Sequence, residues 1–272
     1  MWELAETPKE KHLARLAIGA FYHAMRSYEY LRVQGERRTK VLCLHNLRFF
    51  RGLRELSHDD PDLPYADAIS ITFNYQKTDV RDATITIYQT NQTILCPVRA
   101  WAAIVQSIKN LPGSTKNTPV CSLFQPATQS TPDNPGKFVQ VTGKEMTTLI
   151  RKAVADMGTE RLSFKPEECG THSIRSADAM AMHMAGVPAY TIMLIGRWSS
   201  NAFLRYIRRQ VQEFSAGVSS KMLLTDEFFA VSGITPRDPR VSGNINNFSG
   251  QDLNIGLATQ NCAMPPAFSL HH

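Results

Sequence analysis

Residues 68–88 have the sequence AISITFNYQKTDVRDATITIY, which contains the clearest strand pattern in the chain. Apolar and polar residues alternate over 68–75 and again over 84–88, as expected for β-strands with two different faces. The residues between them, 76–82, are polar and turn-like. The stretch therefore predicts an antiparallel β-hairpin with Lys77 near its tip.

Helical patterns dominate the sequence on both sides of this hairpin. Upstream, Thr7 and Glu10 form a capping-box pattern around Pro8, so a long helix is expected to start there. The short apolar run 41–44 suits a buried strand. Further helices are predicted to start at Pro97, Thr142 and Thr171 and to cover 190–195 and 202–213. We expect an α+β fold, mainly helical, with a small antiparallel three-stranded sheet after the first two helices.

The chain has 272 residues, a net charge of +6 and a pI of about 9.1. This excess of positive charge favours an anionic partner such as nucleic acid. We expect one large domain over 1–225. The segment 226–272 is rich in Asn, Gly, Ser and Pro and has little periodicity, so it is expected to form a poorly ordered tail.

The sequence predicts neither a membrane span nor secretion. No apolar run approaches the roughly 18–20 residues that a transmembrane helix needs, and residues 1–11 lack the apolar stretch of a signal peptide. The expected location is the nucleus of a eukaryotic cell, or otherwise the cytoplasm. The five cysteines are odd in number and form no CxxC pair, so reduced thiols are expected, with no zinc site and no other cofactor.

Two isolated basic residues are candidates for chemistry. Arg26 lies in an otherwise apolar helical stretch, and Glu29 follows three residues later. A buried guanidinium is costly without a partner, so Glu29 is expected to pair with it. A structural ion pair on a helix explains the same pattern. Lys77, taken alone, is typical of a solvated lysine in a turn.

Two further pairs of residues have spacings that suit phosphate chemistry. His172 and Arg175 lie one turn apart on the helix that starts at Thr171, so they share a face. A guanidinium can bind two phosphate oxygens, and an imidazole can donate or shuttle a proton. Trp198 and Tyr206 flank a small polar turn. A helix-surface pair, a core tryptophan and an amphipathic tyrosine remain the alternative explanations.

Taken together, these residues follow the order Arg, Lys, His-x-x-Arg, Trp, Tyr. In this order the chain resembles the tyrosine recombinases of the phage-integrase family over about 13–209. The segment RSYE at 26–29 resembles the R-x-x-E box of that family. The segment THSIRS at 171–176 resembles its second box. IGRW at 195–198 resembles the L-G-H/W box, with tryptophan in place of the commoner histidine.

The local surroundings are most similar to those of eukaryotic crypton-type mobile-element recombinases. The similarity is carried by the runs 19–26 and 197–208. The interval from Trp198 to Tyr206 is one residue shorter than in many bacterial members of the family.

The resemblance implies the tyrosine-recombinase catalytic fold and site-specific cleavage and rejoining of DNA through a 3′-phosphotyrosyl intermediate. The catalytic residues it implies are Arg26, Lys77, His172, Arg175, Trp198 and Tyr206. Tyr206 would be the nucleophile, and Lys77 would protonate the leaving 5′ oxygen. Arg26 and Arg175 would bind the non-bridging oxygens, and His172 would help to manage the proton of the phenol.

Two further residues implied by the resemblance support these groups. Trp198 would pack against the site and offer its indole N–H, and Glu29 would hold Arg26 in place without touching DNA. Apart from the resemblance, the positive charge of a further set of residues suits contacts with backbone phosphates, and side chains that merely face water are the alternative explanation: Arg37, Arg38, Lys40, Arg48, Arg51, Arg205 and Arg208. The expected partners are double-stranded DNA and, as in the family, three further copies of the chain in a tetramer.

The chain departs from the family in one respect. Family members carry a helical core-binding domain ahead of the catalytic domain, but only 25 residues precede Arg26, so no such domain is expected here. Two other functions remain open. One is a non-catalytic DNA-binding protein derived from a recombinase, and the other is a type IB topoisomerase, a related tyrosine enzyme that relaxes supercoils.

Overall fold

The computed structural model describes residues 1–32, 41–74, 82–125 and 136–198. Helical residues outnumber strand residues among them. The helices are α1 (Pro8–Tyr22), α2 (Ser27–Tyr30), α3 (Pro97–Lys109), α4 (Gly143–Met157), α5 (Thr159–Leu162), α6 (Thr171–Met184) and α7 (Ala189–Gly196). The strands are β1 (Leu47–Arg51), β2 (Arg54–Leu56), β3 (Ala68–Phe73), β4 (Ala83–Tyr88), β5 (Ser122–Gln125) and β6 (Lys137–Gln140).

Four strands form an antiparallel sheet in the order β2-β1-β3-β4. The predicted hairpin is confirmed as β3–β4, in which Ile69 lies opposite Ile87 and Ile71 opposite Ile85. β3 lies between two strands and is buried almost throughout, whereas half-buried and exposed residues alternate along β4. The α+β class expected from the sequence is therefore confirmed.

The predicted three-stranded sheet is wrong in its number of strands. The hairpin β1–β2 supplies two strands and turns at Gly52, whose φ of +56° suits a residue without a Cβ. The predicted strand at 41–44 does not join the sheet, because Cys43 makes only an isolated bridge with Pro119. The side chain of Asn46 accepts the backbone N–H of Cys43 at 2.8 Å and turns the chain into a short 3-10 helix.

A second sheet, of two antiparallel strands, was not predicted. It pairs β5 with β6, and the aromatic rings of Phe124 and Phe138 stack edge to face with their centroids 6.0 Å apart. The two strands flank residues 126–135, which lie outside the described residues.

The predicted helix starts at Thr7 and Thr142 are confirmed in their details. The hydroxyl of Thr7 accepts the backbone N–H of Glu10 at 3.1 Å, and that of Thr142 accepts the backbone N–H of Glu145 at 3.3 Å. Each glutamate returns a bond to the backbone N–H of its threonine. These reciprocal bonds satisfy donors that a helix end leaves without intrahelical partners.

The main hydrophobic core joins α1, α3 and α4 to the four-stranded sheet. Trp101 of α3 is fully buried and packs so closely on Gly19 of α1 that a Cβ at that glycine would overlap the indole ring. A second, smaller cluster around Ala179 and Ile192 holds α7 against α6. Because α6 also packs on α1, the ends of α1 and α7 are both brought to this helix.

Among the residues described, no helix is long and apolar enough to cross a membrane. These residues all belong to one compact unit, Met1–Phe214. The domain boundary predicted between 225 and 226 lies outside them.

Candidate active site

Three arginines meet where the ends of α1 and α7 approach α6. They are Arg26, Arg175 and Arg197, and together with Glu29 we call them the arginine cluster. Their positions depend on contacts between distant parts of the chain, since the guanidinium of Arg175 donates to the backbone carbonyl of Ala24, 151 positions earlier. No local secondary structure alone could assemble this group.

Arg26 and Glu29 form the part of the cluster at the start of α2. The backbone N–H of Arg26 donates to Oε2 of Glu29 at 2.7 Å, and its Nη1 donates to Oε1 at 3.4 Å. The pairing predicted from the sequence is therefore present, with Arg26 just before the helix and Glu29 in its first turn. The side chain of Arg26 is 18% exposed and that of Glu29 is 2% exposed, so the arginine is the member open to solvent.

Arg175 connects α6 to both neighbouring helix ends. It is 2% exposed, and its second guanidinium nitrogen donates to the carbonyl of Gly196 at the end of α7. Its guanidinium carbon also lies 4.2 Å from the centre of the Trp198 ring, a cation–π geometry. A Cβ at Gly196 would overlap this ring, so the indole position requires glycine there.

Arg197 was quoted in the sequence pattern but received no role, and the structure places it inside the cluster. Its Nη1 donates to the carbonyl of His23 at 2.9 Å and to that of Ile195 at 3.2 Å, while its Nη2 donates to Oε2 of Glu29 at 2.8 Å. Its guanidinium lies 3.7 Å from the centre of the Phe73 ring. Phe73 is the last residue of β3, so this end of the strand lies beside the cluster.

The electrostatic balance of the cluster is positive. The cluster contains three guanidinium groups and the carboxylate of Glu29, which bonds to both Arg26 and Arg197. The other acid nearby is Asp178, one turn after Arg175 on α6. Burial raises the pKa of Asp178 from 3.8 to about 7, against the opposing charges of Arg175 and Arg197. An anion would therefore be attracted to this position.

His172 lies one turn before Arg175, as predicted. Burial, together with the charges of Arg175 and Arg26, holds the pKa of His172 below its usual value. The imidazole is therefore neutral at pH 7 and able to accept a proton. His172 and Arg175 lie three residues apart on α6, so they share a face of this helix.

Two residues at the cluster adopt backbone conformations that are unfavourable for side chains with a Cβ. Ala24 has a φ of +46° and Arg197 has a φ of +54°. Each lies just after a helix, and each takes part in the hydrogen bonds of the cluster. Such conformations cost free energy and are concentrated at functional sites.

Asp178 and Arg197 were missed as site residues. For Asp178, the available signal was its position three residues after Arg175, which places it on the same helical face. For Arg197 there was no such signal. Its neighbours in the sequence do not indicate that it adopts the left-handed conformation, which is usual for glycine.

Several predicted site residues lie outside the described part of the chain. They are Lys77 and Tyr206 among the catalytic candidates, and Arg37, Arg38, Lys40, Arg205 and Arg208 among the DNA-binding candidates. Within the described residues, no group of His, Cys, Asp and Glu side chains has the arrangement of a metal site.

The two other predicted DNA-binding residues, Arg48 and Arg51, lie on β1. Here three exposed arginines each pair with acids, and we call this set the hairpin network: Arg48 with Glu55 at 2.5 Å, Arg51 with Asp62 at 2.8 Å, and Arg54 with Asp60 and Asp62 at 3.0 and 2.9 Å. Three carboxylates balance three guanidiniums, so this surface carries less net charge than its arginines alone suggest.

No protein-family model matches the chain, and no curated protein matches it either.

Proposed function

We propose that this chain cleaves and rejoins DNA strands through a covalent 3′-phosphotyrosyl intermediate. In the first step the phenol oxygen of Tyr206 attacks the scissile phosphorus, the bond from phosphorus to the 5′ oxygen breaks, and the 5′ oxygen takes a proton. Rejoining is the reverse reaction, in which a 5′ hydroxyl displaces the tyrosine. The phosphodiester energy is kept in the phosphotyrosyl bond, so the reaction requires no ATP.

The observation that carries this proposal is the convergence of Arg26, His172, Arg175 and Trp198. The family resemblance requires these four residues to meet around one phosphate. The bond from Arg175 to Ala24, two residues before Arg26, its bond to Gly196 and its stacking on Trp198 support this proposal. A pentavalent phosphorus species carries extra negative charge, which prepositioned guanidinium groups stabilise.

The proposed roles follow the charges and protonation states of the site. Arg26, the most exposed member of the cluster, binds the non-bridging oxygens together with Arg175. His172 is neutral at pH 7, so it accepts the proton that Tyr206 loses as it attacks. Lys77, in the segment that connects β3 to β4, gives a proton to the leaving 5′ oxygen.

The proposal extends to the fold and the partners. It assigns the tyrosine-recombinase catalytic fold to 1–225, double-stranded DNA as substrate, and a homotetramer on DNA as the working assembly. It places the protein of a eukaryotic host in the nucleus, with the integration or excision of a mobile element as its reaction. Arg37, Arg38, Lys40, Arg205 and Arg208 would contact backbone phosphates.

A non-catalytic DNA-binding protein is the second candidate, and one observation favours it. Arg175 is almost fully buried and bonds to two backbone carbonyls, which is also what a purely structural arginine does. A retained fold without chemistry would preserve these bonds.

A nicked suicide duplex separates the two functions. Cleavage releases a short fragment that diffuses away, so rejoining is prevented and the covalent adduct accumulates. We expect the adduct in a denaturing gel, and we expect Tyr206→Phe to reduce it by about 1000-fold or more, as for loss of a nucleophile. Tyr190→Phe is the matched control, since Tyr190 is exposed on α7. Absence of any adduct from the unmodified chain would favour the non-catalytic function. Relaxation of plasmid DNA without strand exchange would indicate a topoisomerase.

A further inference from the structure

Tyr28 lies on α2 between Arg26 and Glu29, and its hydroxyl has an unusual environment. The oxygen is buried, yet it has no hydrogen-bond partner among the described residues. A buried hydroxyl without a partner costs free energy, so such groups are rare unless a ligand or another function uses them.

The surroundings of this phenol are those of an anion site. The positive charges of Arg26, Arg175 and Arg197 act on it, and so does the negative charge of Glu29. Burial raises the pKa of Tyr28 despite the three positive charges, so the phenol keeps its proton at neutral pH. It is therefore a hydrogen-bond donor, and it lacks the activation that a nucleophile needs.

Tyr30, two residues later, provides a comparison, because its phenol hydroxyl lies in the core and not beside the arginines. Its hydroxyl is also buried and also unpartnered among the described residues, but the side chain is fully enclosed in the main core. Glu29 acts on Tyr30 as it does on Tyr28, but within the described part of the chain no arginine charge acts on Tyr30. The two tyrosines differ in surroundings while sharing a helix.

We infer that the Tyr28 hydroxyl donates a hydrogen bond to a phosphate oxygen held on Arg26. The phosphate would approach beside Arg26, whose side chain reaches solvent, and the phenol would add a neutral donor to the guanidiniums. The identity of the ligand as a DNA phosphodiester rests on the proposed function, whereas the contact itself requires only a phosphate.

Two measurements on the full chain test this contact, with Tyr28→Phe compared against Tyr30→Phe. The first is the binding of inorganic phosphate, followed by phosphorus NMR, and the second is the rate of adduct formation on the nicked duplex. We expect Tyr28→Phe to weaken both by about tenfold, the worth of one hydrogen bond. Its midpoint of urea unfolding should not fall, because the hydroxyl that it removes has no partner within the described fold. Tyr30→Phe should leave binding and rate unchanged.

The outcomes separate this inference from the proposed function. If the unmodified chain binds phosphate but forms no adduct, and Tyr28→Phe weakens that binding, the contact stands and strand cleavage does not. If the adduct forms and Tyr28→Phe changes neither its rate nor phosphate binding, the contact is refuted and strand cleavage stands. A fall in the unfolding midpoint of Tyr28→Phe, with equal losses in Tyr30→Phe, would refute the contact by showing a structural role for both hydroxyls.

Discussion

The arginine cluster and the hairpin network each contain three arginines, but they use them in opposite ways. In the hairpin network the arginine side chains are about half exposed, and three carboxylates balance them. In the cluster, Arg175 and Arg197 are buried, and the carboxylate of Glu29 pairs with Arg26 and Arg197. The first arrangement approaches neutrality, and the second retains positive charge that is mostly buried.

The number of arginines in a segment therefore does not indicate where an anion would bind. Exposed pairs contribute little because water and salt screen them. A buried guanidinium must be bonded on several sides, and loss of one partner leaves a charge without compensation. The cluster should therefore be sensitive to single substitutions that the hairpin network tolerates.

The largest effect is expected for Glu29→Gln. The substitution keeps the shape of the side chain but removes the carboxylate charge that pairs with both Arg26 and Arg197, so we expect a loss of about 3–5 kcal/mol in the free energy of unfolding. Urea denaturation measures it. Glu55→Gln removes the equivalent charge from Arg48 and should cost less than about 1 kcal/mol. Equal losses of unfolding free energy for Glu29→Gln and Glu55→Gln would contradict the expected difference between buried and exposed arginines.

Asp178→Asn should have a smaller effect of opposite sign. Because its pKa is raised to about 7, folded Asp178 keeps a proton that the unfolded chain has released between about pH 4 and pH 7. This contribution to stability is fully present below that window and is lost as the pH rises through it. At pH 8, Asp178→Asn should therefore gain about 2–4 kcal/mol in the free energy of unfolding.

Urea denaturation at pH 5 and pH 8 tests this, since the gain should shrink at the lower pH. Asp62→Asn is the matched control. It removes the partner of Arg51 and Arg54, so it should lose a little stability. A loss at Asp178 at pH 8 would show that its carboxylate is charged and stabilises the cluster.

The smallest effect is expected for Arg48→Gln. Glu55 already neutralises this arginine, so its removal should change the free energy of unfolding by less than about 1 kcal/mol. It should also lower the slope of log affinity for DNA against log salt by less than about 1, the value for one full phosphate contact. A decrease of one full unit in this slope would mean that DNA displaces Glu55 from Arg48. Charge balance in the free protein would then not predict which arginines of this surface bind DNA.

The sequence predicted those parts of the fold whose signals are local. The hairpin β3–β4 follows from strict alternation, and the starts of α1 and α4 follow from their capping boxes. The hairpin β1–β2 was missed because 47–51 carries two arginines around two adjacent phenylalanines, which conceals the alternation. The apolar run 41–44 was wrongly predicted as a strand. The hydrogen bond from the Cys43 backbone N–H to the Asn46 side chain overrides the strand propensity of this run.

The site shows the same limit at a higher level. Arg26, His172, Arg175 and Trp198 were chosen by their order along the chain, and their proximity came from tertiary packing. The role of Arg197 depends on a left-handed backbone and on the ring of Phe73 from a distant strand. The orphaned hydroxyl of Tyr28 depends on burial by several elements at once. Such properties belong to the assembled core, and no window of sequence contains them.

The bond between Arg175 and the carbonyl of Ala24 also has a consequence for folding. It closes a loop of 151 positions, and contacts of such separation are slow to form because the entropy of the intervening chain must be lost first. A nascent polypeptide that has not yet emerged beyond α6 lacks this concentration of charge altogether. We therefore expect the arginine cluster to form only after α6 has been synthesised and has packed against α1.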